Sequence, residues 1–285
     1  MGKRQLNSRD YLDIFIKTED NSDSLKIIIP SRQTVKELSL EECAAPGLIN
    51  TVAGKDCTPE YCLMLSDGYY CCDIVTLPVM SRKNMQANLK AQIAGHYPDA
   101  DIVNAQILFE DKSRCTFAVT LVNRVKTQRI TSAFAQNGLI LKKRMLSGPC
   151  KIAYAEGKIE AVKGKNFVVA IIEDGTCELV FALKGRYVFS SRIMQIDCLG
   201  ICSSARLIAQ STLKELPRAV IDKLVVVSNG NENDLAREFS SCTEQGFEYV
   251  GFLKGKDFSN KENTSALGID LLYSMSEKSG VFDLL

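Results

Sequence analysis

Hydrophobic positions along the chain alternate with polar ones in some stretches and recur every three or four residues in others. The switches between these two periods mark the elements. YLDIFIK, starting at Tyr11, and LKIII, closed by Pro30, read as strands, and the polar run 31–42 reads as helical before Pro46-Gly47 breaks it. YCLMLSDGYYCCDIVTL then predicts two strands about Ser66-Asp67-Gly68, where Asp-Gly is a strong hairpin signal, with Leu77-Pro78 closing the second.

After Pro78 the period becomes helical. Met85, Leu89, Ile93 and Ala94 recur at spacings of three and four up to the break at Tyr97-Pro98. VNAQILFE and CTFAVTLV predict strands joined by the charged turn Asp111-Lys112-Ser113-Arg114, and Val125 to Asn137 predicts a helix capped by Gly138. Helix, two strands and helix make a unit small enough to be a subdomain. Gly148-Pro149 opens a connector, beyond which FVVAIIED and CELVFALKGRYVFSSRI supply strands. Ser203 to Glu215 supplies a helix, LVVVSNGN a buried strand with a polar glycine turn, and Asp234 to Gln245 another helix. Tyr249 to Leu253 reads as a short strand and Ser265 to Met275 as a last helix. Sheets with helices between them give an α/β, or mixed α+β, fold in two lobes.

Composition narrows the function classes. The 285 residues suffice for about two domain-sized units. Basic and acidic residues, 35 and 34, nearly cancel and the basic ones are scattered, which argues against a nucleic-acid partner. Eleven cysteines spread through a chain without a secretory leader point to reduced thiols in a cytoplasm. They form no CxxC pair and only His96 could join them on zinc, so buried or inert thiols are expected and no metal site. No apolar run reaches the roughly 18 to 20 residues that cross a bilayer.

Three turns carry candidate chemistry. Gly175 and Thr176 could cradle a phosphate through backbone N–H groups, with Glu173 or Asp174 holding magnesium through water. Ser228-Asn229-Gly230, after the apolar Val225 to Val227, could present a second turn to an adenosine. A β-hairpin and a strand-to-helix turn use the same residues, so both readings stand. Walker, GxGxxG and GxSxG patterns are absent. His96 sits at a predicted helix end, where an imidazole satisfies carbonyls, and Glu41-Glu42 read as a solvated face.

The order of these parts resembles the actin-like ATPase superfamily in its bacterial assembly branch: the type IV pilus protein PilM, the cytoplasmic domain of the type II secretion protein GspL and, more distantly, FtsA. IIEDGTCELVFALKGRYVFSSRI resembles that branch's second phosphate loop, its hairpin and the Phe-x-x-Arg after it, here Phe189 and Arg192. VVVSNGN resembles the adenosine loop, and Ala266-Leu267-Gly268 the small-residue helix that closes the domain. The helix–strand–strand–helix unit resembles the branch's inserted subdomain.

The resemblance implies a two-lobed actin-like, ribonuclease H-like fold. A first lobe over 8–160 carries the insertion at about 76–148, a second lobe covers 161–276, and 277–285 form a tail leading towards a membrane segment. It also implies an ATP and magnesium cleft at Asp13, Glu173, Asp174, Gly175, Thr176, Ser228, Asn229 and Gly230. Three departures point to lost or weak ATP binding: Glu173 where the branch has Asp, Asn229 where it has Gly, and bulky Ile14 and Phe15 after Asp13. No catalytic residue is then expected. The implied role is a scaffold at the inner face of the plasma membrane, binding a PilN-like inner-membrane protein and the assembly ATPase. Phe282, Asp283, Leu284 and Leu285 resemble the apolar peptide with which PilN engages such proteins. An active actin-like ATPase is the alternative.

Overall fold

A computed structural model describes residues 14–18, 24–29, 34–45, 47, 60–173, 176–194, 197–214, 216, 220–228, 232–240 and 246–254. Two five-stranded sheets share one plan. In the first, β1 (Ile14–Thr18), β2 (Ser24–Ile29) and β3 (Thr34–Ser39) are antiparallel neighbours. The strands β4 (Glu60–Leu65) and β8 (Ile140–Leu146) continue parallel from β1, giving the order β3-β2-β1-β4-β8. In the second, β9 (Phe167–Glu173), β10 (Thr176–Leu183) and β11 (Arg186–Ile193) are antiparallel, and β12 (Lys223–Ser228) and β13 (Glu248–Lys254) continue parallel from β9. Its order, β11-β10-β9-β12-β13, repeats the first.

The helices follow the same duplication. The chain runs through α1 (Leu40–Ala44), α2 (Arg82–His96), α3 (Arg124–Gln136), α4 (Ser147–Lys158), α5 (Cys198–Thr212) and α6 (Glu232–Ser240). Helix α1 separates the third and fourth strands of the first sheet, and α5 separates those of the second. Two copies of one β-β-β-α-β plan therefore form the two lobes.

The second sheet is buried on both faces, as parallel strands covered by helices must be. Strand alternation divides its side chains cleanly. Val169, Ile171, Val180, Val225 and Val227 join the core shared with the first lobe, whose other members include Tyr61, Leu63, Leu65 and Phe134. Val168, Ala170, Leu179, Phe181, Leu224 and Val226 join the outer core under α5 and α6, with Ile201, Ala205 and Phe239. At the β10–β11 turn Lys184 and Gly185 take φ of 52° and 70°, the left-handed pair that a two-residue hairpin requires.

A three-stranded sheet, β5 (Tyr70–Pro78), β7 (Arg114–Asn123) and β6 (Ala100–Glu110) in the order β5-β7-β6, is built between β4 and β8. Cys115, Phe117, Val119 and Leu121 of β7 turn towards Leu89 and Ile93 of α2. Ala118, on the opposite face of β7, packs with the outer core of the second lobe. Ser81 caps the start of α2 and Asn123 that of α3, and Gly138, at φ 77°, follows the end of α3.

Three local expectations change. The run 31–42 was expected to be helical, yet Thr34–Ser39 is strand and the helix is confined to Leu40–Ala44. Pairing with β2 outweighs the polar character of this edge strand, and the Ser39–Glu42 capping box starts the helix where the ladder ends. Asp67-Gly68 does not make a hairpin, because β4 pairs with β1 and β8 while β5 pairs with β7 in another sheet. The connector after Gly148 is helix α4, with Pro149 in its first turn, where a missing N–H costs nothing. The helix expected at Ser265 to Met275 lies outside the described residues.

The outer core should be held strongly by the stacked pair Phe181 and Phe189, whose ring centroids are 4.3 Å apart, with Phe181 fully buried. Phe181→Ala is expected to cost about 3–5 kcal/mol in urea unfolding. A loss below about 1 kcal/mol would show that the outer core collapses around the gap.

Candidate functional site: a polar cleft between the lobes

In open α/β sheets ligands meet the protein outside the carboxyl ends of the parallel strands. In the first lobe those ends are Thr18 of β1 and the Ser66-Asp67 step after β4. The Ser66 N–H donates to Thr18 Oγ1 at 2.8 Å and the two hydroxyls hydrogen-bond at 3.0 Å, so both side chains are satisfied inside the protein. A turn closed by the Tyr69 N–H on the Ser66 carbonyl, 2.9 Å, then aims Asp67 at the other lobe.

Asp67 gathers hydroxyls from three segments. Its Oδ1 accepts from Tyr70 Oη at 2.6 Å and from Ser147 Oγ at 3.2 Å, and its Oδ2 accepts from Ser190 Oγ of β11 at 3.1 Å. Tyr70 Oη accepts the Gly148 N–H at 2.8 Å, and Tyr187 Oη lies 3.1 Å from Ser190 Oγ. The two tyrosine rings meet edge to face at 6.2 Å. Gly148 is required here: a Cβ would run into the Tyr187 ring and come within 2.8 Å of Tyr70 Oη. Burial pushes the phenols of Tyr70 and Tyr187 well above their usual range, so both act as neutral hydrogen-bonding groups.

One turn further along α4, Lys151 Nζ meets both carboxylate oxygens of Glu178 of β10, at 2.5 and 2.7 Å. The side chains are 17% and 10% exposed, so this ion pair is shielded from solvent. Burial raises the Glu178 carboxyl, Lys151 pulls it back down, and the nearby Asp67 charge adds to the rise. Register places Glu178 opposite Arg192 and Val180 opposite Ser190, so these polar side chains share one face of the second sheet.

The predicted site residues divide sharply. Asp13, Asp174, Gly175, Asn229, Gly230, Phe282, Asp283, Leu284 and Leu285 lie outside the described residues. Glu173 ends β9 opposite Thr176 at the start of β10, so residues 174 and 175 alone separate two paired strands. Ser228 ends β12 opposite Ile172 and is buried. Glu173, Thr176 and Ser228 are thus brought to one end of the second sheet. In the first lobe the end of β1 that meets Ser66 is Thr18.

Sequence reasoning missed the Asp67, Tyr70, Ser147, Lys151, Glu178, Tyr187 and Ser190 cluster. Its one visible sign was an Asp-Gly step read as a hairpin.

Thr18 and Ser66 satisfy each other, Asp67 is taken up by three hydroxyls, and Glu178 is neutralised by Lys151. These groups form a bridge between the lobes. Burial lifts the thiols of Cys62, Cys72, Cys150 and Cys177 to about 12, away from reactive thiolates. His96 is the exposed last residue of α2, and Glu42 serves the cap at Ser39.

No protein-family model matches the chain and no curated protein matches it. Among solved structures it is similar to the PilM–PilN type IV pilus biogenesis complex, at 10% identity and a TM-score of 0.53, over 94% of this chain and 97% of that one. The cytoplasmic domain of EpsL, an inner-membrane component of the type II secretion system of Vibrio cholerae, matches at 9% identity and a TM-score of 0.48, covering 95% and 97%. A Bacteroides thetaiotaomicron protein with an actin-like ATPase fold matches at 11% and 0.43, covering 90% and 95%. With the duplicated sheet plan, the first likeness makes the fold that of the actin-like ATPases.

Lys151→Met should leave Glu178 buried without its cation and cost about 3–5 kcal/mol at neutral pH. Burial holds the folded carboxyl above the roughly 4.3 of an unfolded glutamate. A raised carboxyl pKa contributes stability that is full below the unfolded value and lost as pH rises through the folded one. The deficit of the variant should therefore shrink as pH falls towards about 4, as read from urea midpoints across pH. A deficit that is flat with pH would place its origin in packing.

Proposed function

We propose that the chain is an actin-like scaffold of an assembly machine of the type IV pilus or type II secretion kind, with a nucleotide cleft that no longer works as one. It acts at the cytoplasmic face of an inner membrane, through protein interfaces: one for a PilN-like membrane partner and one for the assembly ATPase. The observation that carries this reading is the bridge from Asp67 to Ser190 and from Lys151 to Glu178, in which the chain's own side chains join the lobes. Glu173 and Asn229 in the two nucleotide turns support it from the sequence.

The machine is inferred from likeness of fold. PilM is found in complex with PilN, and EpsL is an inner-membrane component of its secretion system. Carried to this chain, the same arrangement gives a framework whose lobes need no ligand to stay in register. Among the described residues no helix is long and apolar enough to cross a membrane.

Thermal unfolding with and without millimolar Mg-ATP tests the reading. A ligand at 100 times its dissociation constant adds about 2.7 kcal/mol, which raises Tm by roughly 2–4 °C in a chain of this size. No rise is expected. A clear rise, with phosphate release that drops in Glu173→Ala, would replace the scaffold with a working ATPase. Co-purification from a pilus-bearing cell should recover an inner-membrane partner, and its absence would count against the pilus assignment.

A further inference from the structure

Eight large apolar side chains are exposed among the described residues, and four of them lie on or beside α5: Met194 (84%), Leu199 (54%), Leu207 (66%) and Val220 (65%). The inner face of that helix is spent on the outer core of the second lobe, through Cys198, Ile201, Cys202 and Ala205. At about 100° per residue, Leu199, Ser203 and Leu207 fall within about 80° of one another on the outer face. Exposed apolar groups gathered on one surface, rather than scattered singly, mark a contact.

The two ends of α5 differ. Beside its C-terminal end lies a groove of about 450 Å³, floored by Ala209, Leu213, Leu216, Ile221 and Phe247 and edged by Lys214. At its N-terminal end Met194, the most exposed of the eight apolar side chains, stands three residues before the N-cap Asp197. One end therefore offers an apolar knob and a carboxylate, the other an apolar groove and a cation.

The outer face also reads the same in both directions. Leu199 and Leu207 stand four residues to either side of Ser203, whose short side chain lets another backbone approach. A surface with this symmetry fits a second copy of itself turned about a two-fold axis at Ser203. Leu199 of each copy then packs on Leu207 of the other, and the Met194 end of each meets the groove of the other. Arg206 and Lys214 of one copy turn towards Asp197 of the other, whereas a parallel pairing would set like charges together.

We infer that the outer face of α5 is the contact of a two-fold symmetric dimer of this chain, with the two helices antiparallel. Complementarity of the two ends, in shape and in charge, selects a second copy as the occupant. The inference rests on α5 alone and stands whether or not the pilus reading does.

Sedimentation of the whole chain tests it. One helix face is a small contact, about 1,200 Å² or less in total, so a weak dimer is expected and is read from about 5 to 500 µM. Leu207→Glu should weaken association about tenfold or more and leave Tm unchanged, since the side chain is exposed and Glu is nearly as good a helix former. Met194→Glu should also weaken it, and Val125→Glu, at an exposed position on α3 of the first lobe, should not. Ser203→Cys, treated with a short bismaleimide, should give a crosslinked dimer that the parent chain does not form. A monomer at every concentration, species that grow beyond the dimer, equal weakening by Val125→Glu, or no crosslink through residue 203 would each overturn the proposal. So would a fall of several degrees in the Tm of Leu207→Glu, which would mean that the chain's own residues cover this face.

Discussion

Asp67 accepts hydroxyls from residues 3, 80 and 123 positions away and so ties the inserted sheet, α4 and the second lobe to the end of β4. Its position is fixed from below by the Thr18 and Ser66 pair, which holds the ends of β1 and β4 together. From there Tyr70 begins the inserted sheet, Ser147 begins α4 and Ser190 belongs to the second lobe. A carboxylate that accepts several hydroxyls in a low-dielectric site is strengthened by each of them, while losing one leaves the others poorly matched. The relative placement of lobes and insertion is therefore decided at one end of β4.

Apolar packing makes that placement rigid. Helix α4 lies between the sheets, with Ile152, Tyr154 and Ala155 in the core that also takes one face of β9 and β12. Because both faces of the second sheet are filled, a shift of the lobes would uncover Val169, Val225 and Val227, all fully buried. At about 25 cal/mol per Å² of apolar area such exposure is expensive. The polar bridge and the apolar wedge therefore restrain the same motion by different means. The bridge supplies direction, which apolar burial lacks.

Much of this was legible in the sequence, for a physical reason. The runs VVAII and LVVV, long enough only for buried strands, announced the second sheet, and the period change at Pro78 announced helix α2. Hairpins whose register follows from a short turn, such as Lys184-Gly185, were also readable. What failed was non-local. Asp-Gly between two strand-like runs meets every local requirement of a hairpin, but whether the strands pair with each other depends on β1, β8 and β7, which are distant in sequence. The polar cleft was hidden for the same reason. Lys151 and Glu178 are 27 residues apart, and neither has a local pattern that names the other. The phosphate-type turns were readable as motifs, yet a motif carries no information on whether neighbouring groups are already occupied.

Occupancy is what separates two uses of this fold. A cleft that waits for a ligand keeps its charged groups unpaired or solvated, and the ligand's binding energy then draws the lobes together. Here the Asp67–Ser190 hydrogen bond and the shielded Lys151–Glu178 ion pair run between the lobes. A ligand that separated these groups would have to break both before making its own contacts, and its apparent affinity would fall accordingly. In the binding framework proposed above the same interactions would hold surfaces of both lobes in fixed register, so that a partner would spend less of its binding energy on ordering them.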